Sequence, residues 1–218
     1  MLFALRQPAI LLGLVLGFGI GCFLRVGAQQ LYLGGRRAAR SVRVTRTWLD
    51  PYGLVAALLA GVGWSTRPTL RHGKSSQVWA VVVIAVAVHG VLAAIGLAGY
   101  LAAGGVRLAF PFMSTITVLH GTQGIAASFG QRVALGFGVE NLACGLLALV
   151  PLPPLELGVA LWSTLPRSPG SRRLAYRVLE EQWGIVVLLV LLVIPLAGES
   201  PALLQLVGGV ADRILHAL

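Results

Sequence analysis

The chain has almost no acid. Seven of its 218 residues are Asp or Glu, against 17 Lys or Arg, and all charged residues together make up 11%. Soluble domains carry about a quarter of their residues as charges, so an ordinary water-exposed surface is excluded. Cysteine is almost missing as well: Cys22 and Cys144 stand alone, each inside an apolar stretch. That leaves neither a disulfide framework nor a multi-cysteine metal site. No internal repeat and no low-complexity linker divides the sequence, which predicts a single domain over residues 1–218.

What is abundant is hydrocarbon. Apolar residues reach 57% and the mean hydropathy is +0.86, the balance of an integral membrane protein. The formal net charge of +10 resembles that of a nucleic-acid binder, yet the basic residues sit in short loops beside apolar runs. Membrane topology accounts for them, and no nucleic-acid partner is expected.

A helix needs roughly 17 to 25 apolar residues to cross a bilayer. Four stretches qualify by eye: residues 8–24, 78–103, 133–161 with a proline break inside, and a shorter one at 183–197. An all-α polytopic bundle of about four spans follows. A fifth apolar stretch, 54–64, is too short to cross and has basic flanks: Arg36, Arg37, Arg40, Arg43 and Arg46 before it, Arg67, Arg71 and Lys74 after it. It is expected to dip in and return. Positive loops mark the cytoplasmic side, and four spans put the loops at 36–46, 67–74 and 166–177 on one face when the N-terminus starts outside. The 36–46 cluster also suits contact with anionic lipid headgroups. Residues 201–218 read as an amphipathic helix at the outer surface, and the Gly-, Ser- and Thr-rich residues 108–131 as a re-entrant or interfacial segment. Arg6, an apolar run and "GIGC" crudely imitate a lipoprotein cleavage site, but Gly19 stands where leucine is usual, so the first span is expected to be retained.

The most informative motif is "ENLACGLLALVPLPPLELG", residues 140–158. Pro151, Pro153 and Pro154 cannot continue a helix, so the span breaks at membrane depth, where other protein groups must cover it. Glu156 follows at once. An ionisable residue in such a stretch marks a functional site, or else a carboxylate near the interface paired with Arg167.

Here the chain resembles the site-2 protease family of intramembrane zinc metallopeptidases, in its compact bacterial form. Asn141 and "LVPLPPLELG" are similar to the family's asparagine and its "LLPIPPLDGG"-type run. "TRTWLDPYG", with Asp50, Pro51 and Gly53, resembles its "LRHIDPFG"; "GWSTRP" its "GWAKPVP"; and "LEEQWGIVVLLVLLV" its closing "LERYGFLILLLLL". The matches run in the family's order along most of the chain. The resemblance implies a site-2-protease-like bundle in a bacterial plasma membrane.

The family's chemistry needs a His-Glu-x-x-His helix, because two histidines four residues apart bind zinc while the glutamate activates its water. No such motif occurs in this sequence. Anchoring the family's following Leu-Gly on Leu33 and Gly34 puts Cys22 and Val26 at the histidine positions and Phe23 at the glutamate. Glu156 replaces the third ligand, an aspartate, and Leu157 the glycine behind it. Valine cannot bind a metal and phenylalanine cannot act as a base, so the resemblance implies a pseudoprotease with no metal and no cofactor. A relocated site built from His89, His120, Glu140 and Glu156 has no helical ligand spacing.

Gly13, Gly17, Gly21 and Arg25 recur every four residues and share one helix face. Small residues at that spacing admit a close neighbour. Two readings fit Arg25: it snorkels to the headgroups, or it turns inward and pairs with Glu156. Glu140 near Arg132 is expected to be an interfacial partner, Asp50 to cap the helix that Pro51 opens, and Glu180 and Glu181 to start the last span. The expected function is binding or regulation: a groove between helices that holds a client transmembrane helix or a membrane partner protein, in contact with lipid. A divergent active zinc metallopeptidase is the alternative. A small transporter has less behind it, since no paired broken helices recur in two halves.

Overall fold

The computed structural model describes residues 1–39, 48–66, 75–106, 113–121, 128–164, 168, 170, 173, 174, 176–180, 183–195 and 200–218. Among these the chain is helical, with a single isolated bridge and no strand. A 3-10 helix, Leu2–Arg6, precedes α1 (Pro8–Ala39), α2 (Pro51–Ala60), α3 (Ser75–Ala102), α4 (Thr115–Leu119), α5 (Phe129–Leu147), α6 (Glu156–Thr164), α7 (Trp183–Val193) and α8 (Ala202–His216), with a π-helical turn at Tyr176–Glu180.

Among the described residues two helices are long and apolar enough to cross a membrane: Pro8–Leu33, with mean hydropathy 2.2, and Gln77–Ala102, with 2.6. The other two expected spans are not complete in that sense. The 19 residues of α5 include Gln131, Arg132, Glu140 and Asn141, which dilute its hydropathy, and the proline run separates it from α6. With 11 residues, α7 is about 16 Å long, half the hydrocarbon thickness. Conversely, α1 does not stop near Leu24. No proline follows before Pro51, and Ala28, Gln29, Gln30 and Leu31 favour a helix, so α1 runs through Gly27, Gly34 and Gly35 to Ala39.

The centre of the bundle is α5, packed between α1 and α3. Glycine permits this. A Cβ on Gly13 would lie 2.9 Å from the Phe137 amide nitrogen and 3.1 Å from Gly136 Cα, and one on Gly96 would lie 2.6 Å from Gly138 Cα. Backbone therefore meets backbone on both sides of α5, where dispersion and short-range packing replace the hydrophobic effect that is absent in lipid.

Asp50 and Pro51 start α2 as expected from their types: the Asp50 carboxylate accepts from the amides of Tyr52 at 2.9 Å and Gly53 at 3.0 Å. After ten residues Gly61, at φ 88°, ends the helix in the left-handed conformation. The limbs then meet, with Leu49 bridging Ser65 and the Thr66 amide donating to the Trp48 carbonyl at 3.2 Å. The ends of this segment thus lie side by side. Cysteines placed at Ser41 and Gly73, both outside the described residues, are expected to label from the same, cytoplasmic side. Labelling from opposite sides would mean that residues 54–64 cross the membrane.

The 201–218 segment does form an amphipathic helix, but it docks on the bundle. Leu203, Leu204, Val207, Ala211 and Leu215 of α8 are buried toward α4, α5 and α7, and Asp212 Oδ1 accepts from the Thr115 amide at 2.6 Å. Its outward face mixes Gln205, Arg213 and His216 with exposed Leu206, Val210 and Ile214. Arg40, Arg43, Arg46, Arg67, Arg71, Lys74, Arg167 and Glu181 lie outside the described residues, as do 107–112 and 122–127 of the segment expected to be re-entrant.

Candidate functional site

Three chain segments meet at Arg25, one turn beyond Gly21 on α1. After Leu147 the backbone leaves α5 and turns through the proline run. The Leu155 amide closes on the Leu152 carbonyl at 2.9 Å, and the Leu157 amide on the Ala148 carbonyl at 3.1 Å. Glu156 is thereby placed as the first residue of α6, where the helix dipole favours a carboxylate. From the other side, the return limb of the α2 hairpin brings in Ser65.

Arg25 joins them. Its Nη1 is paired with Glu156 Oε1. Its Nη2 donates to the Ser65 carbonyl at 2.9 Å, to Ser65 Oγ, and more weakly to the Thr66 carbonyl at 3.4 Å. Arg25 is 3% exposed, Ser65 3% and Glu156 5%. The guanidinium therefore turns into the bundle and does not snorkel. Four contacts to one fork-shaped cation match the geometry arginine is built for.

A second cluster lies alongside. Asn141 on α5 donates from Nδ2 to the Gly17 carbonyl at 3.3 Å and the Phe137 carbonyl at 3.0 Å, and its Oδ1 sits 3.0 Å from His89 Nδ1 on α3. One amide thus ties α1, α3 and α5 together. A Cβ on Gly21 would come within 2.6 Å of Asn141 Oδ1 and 2.8 Å of His89 Cε1, so glycine there makes room for the cluster.

The positions that the resemblance aligns with the His-Glu-x-x-His motif diverge. Cys22 is buried and lines the same small cavity as Arg25, His89, Cys144 and Glu156. Phe23 points outward, 44% exposed, and meets Trp48 edge to face with ring centroids 6.1 Å apart. Val26 is buried but does not line the cavity. Pro151 is exposed and Pro153 buried in the turn that delivers Glu156, and Gly53 packs against Trp64 beneath the hairpin.

Glu140 is a correction. It is not interfacial: it is fully buried, and the Cys144 thiol donates to its Oε1 at 3.4 Å. Arg132, two turns earlier and at the helix start, reaches Gln7 Oε1 at 2.8 Å instead. Proximity in sequence suggested a pair, but eight residues of helix are about 12 Å. Sequence reasoning missed Ser65 and Cys144. Cys144 was open to detection, because it follows Glu140 by four residues and Asn141 by three, on the face those polar residues mark. Nothing about Ser65 in the sequence distinguishes it from any loop serine.

The residues that the resemblance aligns with the zinc site do not suit a catalytic zinc. Such a site takes three protein ligands, whereas here Glu156 Oε1 is engaged by a cation and Val26 and Phe23 offer no lone pair. Among the described residues no three His, Cys, Asp or Glu side chains are grouped to hold a metal ion. No known family, no curated protein and no solved structure matches the chain.

Proposed function

We propose that this chain is a membrane-embedded, site-2-protease-like protein without catalytic activity, which works by binding a transmembrane client helix or a membrane partner protein. The observation that carries this reading is the buried Arg25–Glu156 pair. By the resemblance, Glu156 stands at the family's third ligand and Arg25 within its missing His-Glu-x-x-His. A guanidinium there balances the carboxylate charge that a divalent metal would otherwise balance. An unpaired carboxylate at this depth would be costly, so a cation in the metal's place is a coherent replacement.

Hydrolysis also needs space beside the reactive centre. The cavity at the pair measures about 10 Å³, which admits no peptide bond. Binding would instead use the outer helix faces, where Val83, Val91 and Ile95 of α3 are exposed.

Metal analysis of detergent-purified protein tests the reading. Zinc is expected to be far below one equivalent, and any cleavage of a transmembrane substrate is expected to be insensitive to chelators. Near-equimolar, tightly held zinc would overturn it in favour of a divergent active metallopeptidase.

A further inference from the structure

We infer that the cavity beside the Arg25–Glu156 pair is a binding site for a single water molecule, held by Arg25 Nε, Trp64 Nε1 and Glu156 Oε2. Each of these atoms is buried, and none has a hydrogen-bond partner within the protein. All three residues line the same cavity. Buried polar atoms are rarely left unpaired, and three of them on residues that line one cavity point to a common partner.

The size selects the ligand. A cavity of about 10 Å³ holds one water molecule and nothing larger. Charge selects it too: Arg25 disfavours a cation and Glu156 an anion, while an apolar occupant would leave all three atoms unpaired. Water supplies two acceptor lone pairs for the two N–H donors and one O–H for the carboxylate. Its second O–H has a candidate acceptor in His89, another residue of the cavity lining. Asn141 Nδ2 is committed to two carbonyls, so its Oδ1 is the group facing His89 Nδ1. The neutral imidazole then carries its proton on Nδ1 and leaves Nε2 as an acceptor, a tautomer assigned from the network. Four partners around one water is the upper end of what buried waters make. The water would complete the solvation of an ion pair removed from bulk solvent.

An experimental structure in lipid, at a resolution that shows ordered solvent, should contain one peak in this cavity, about 2.7 to 3.2 Å from at least two of the three atoms. A cavity without density, or one filled by an ion, would overturn the assignment. A second measurement replaces Trp64 with its benzothiophene analogue, which keeps the ring shape and exchanges the indole N–H for sulfur. If water satisfies the N–H, the thermal midpoint should fall by a few degrees. If the N–H faces a dry cavity, removing it relieves a penalty, and an unchanged or raised midpoint would refute the site.

Discussion

Replacing Arg25 by methionine while Glu156 remains should destabilise the protein by about 3 to 5 kcal/mol, because it strands a buried carboxylate. Glu156→Gln should cost a similar amount by stranding the guanidinium, less whatever the Ser65 and Thr66 contacts recover. The double variant should be much less affected than the sum. Its remaining groups are neutral, and the desolvation cost of both charges is gone along with their attraction. Thermal unfolding of wild type, both single variants and the combination, in one detergent, gives the coupling directly. A coupling of about 2 kcal/mol or more would establish a fixed pair. Small, strictly additive effects would show that neither charge depends on the other, and the proposed replacement of a metal by a guanidinium would lose its support.

Arg25 also shows how far sequence reasoning reaches. Its register with Gly13, Gly17 and Gly21 placed it on a face open to close approach, and the proline run placed Glu156 after a break in a helix. Both are local statements of periodicity and backbone chemistry. Whether the two side chains meet depends on how α1 and α6 are rotated and on the hairpin that brings Ser65 against the guanidinium, which no local pattern encodes. The Asp50 cap was legible because capping involves neighbours in sequence. Glu140 was not, since a carboxylate four residues before a cysteine looks the same at an interface and in a core. The end of α1 was not legible for a related reason: hydropathy marks where hydrocarbon ends, whereas a helix ends only where backbone chemistry stops it.

The same substitution at three glycines of α1 should give opposite signs. Gly13→Ala puts a Cβ against the backbone of α5, onto the Val133 carbonyl and 2.9 Å from the Phe137 amide nitrogen. Backbone cannot rotate away as a side chain can, so α1 and α5 must separate along the tightest stretch of their interface. A loss of about 3 kcal/mol, the upper end for overpacking, is expected. Gly21→Ala meets only the side chains of Asn141 and His89, which can shift, but in shifting they break the hydrogen bond between them and loosen the clasp on α3. A loss of about 1 to 2 kcal/mol follows from that bond and the local strain. Gly19→Ala meets nothing within 4 Å and faces away from α5. There the gain in helix propensity, up to about 1 kcal/mol, should dominate and raise the thermal midpoint. The three midpoints measured side by side decide whether the close approach of α1 to α5 holds the bundle together. Equal shifts at Gly13 and Gly19 would mean that the two helices do not pack backbone to backbone, and the inward placement of Arg25 would lose the register on which it depends.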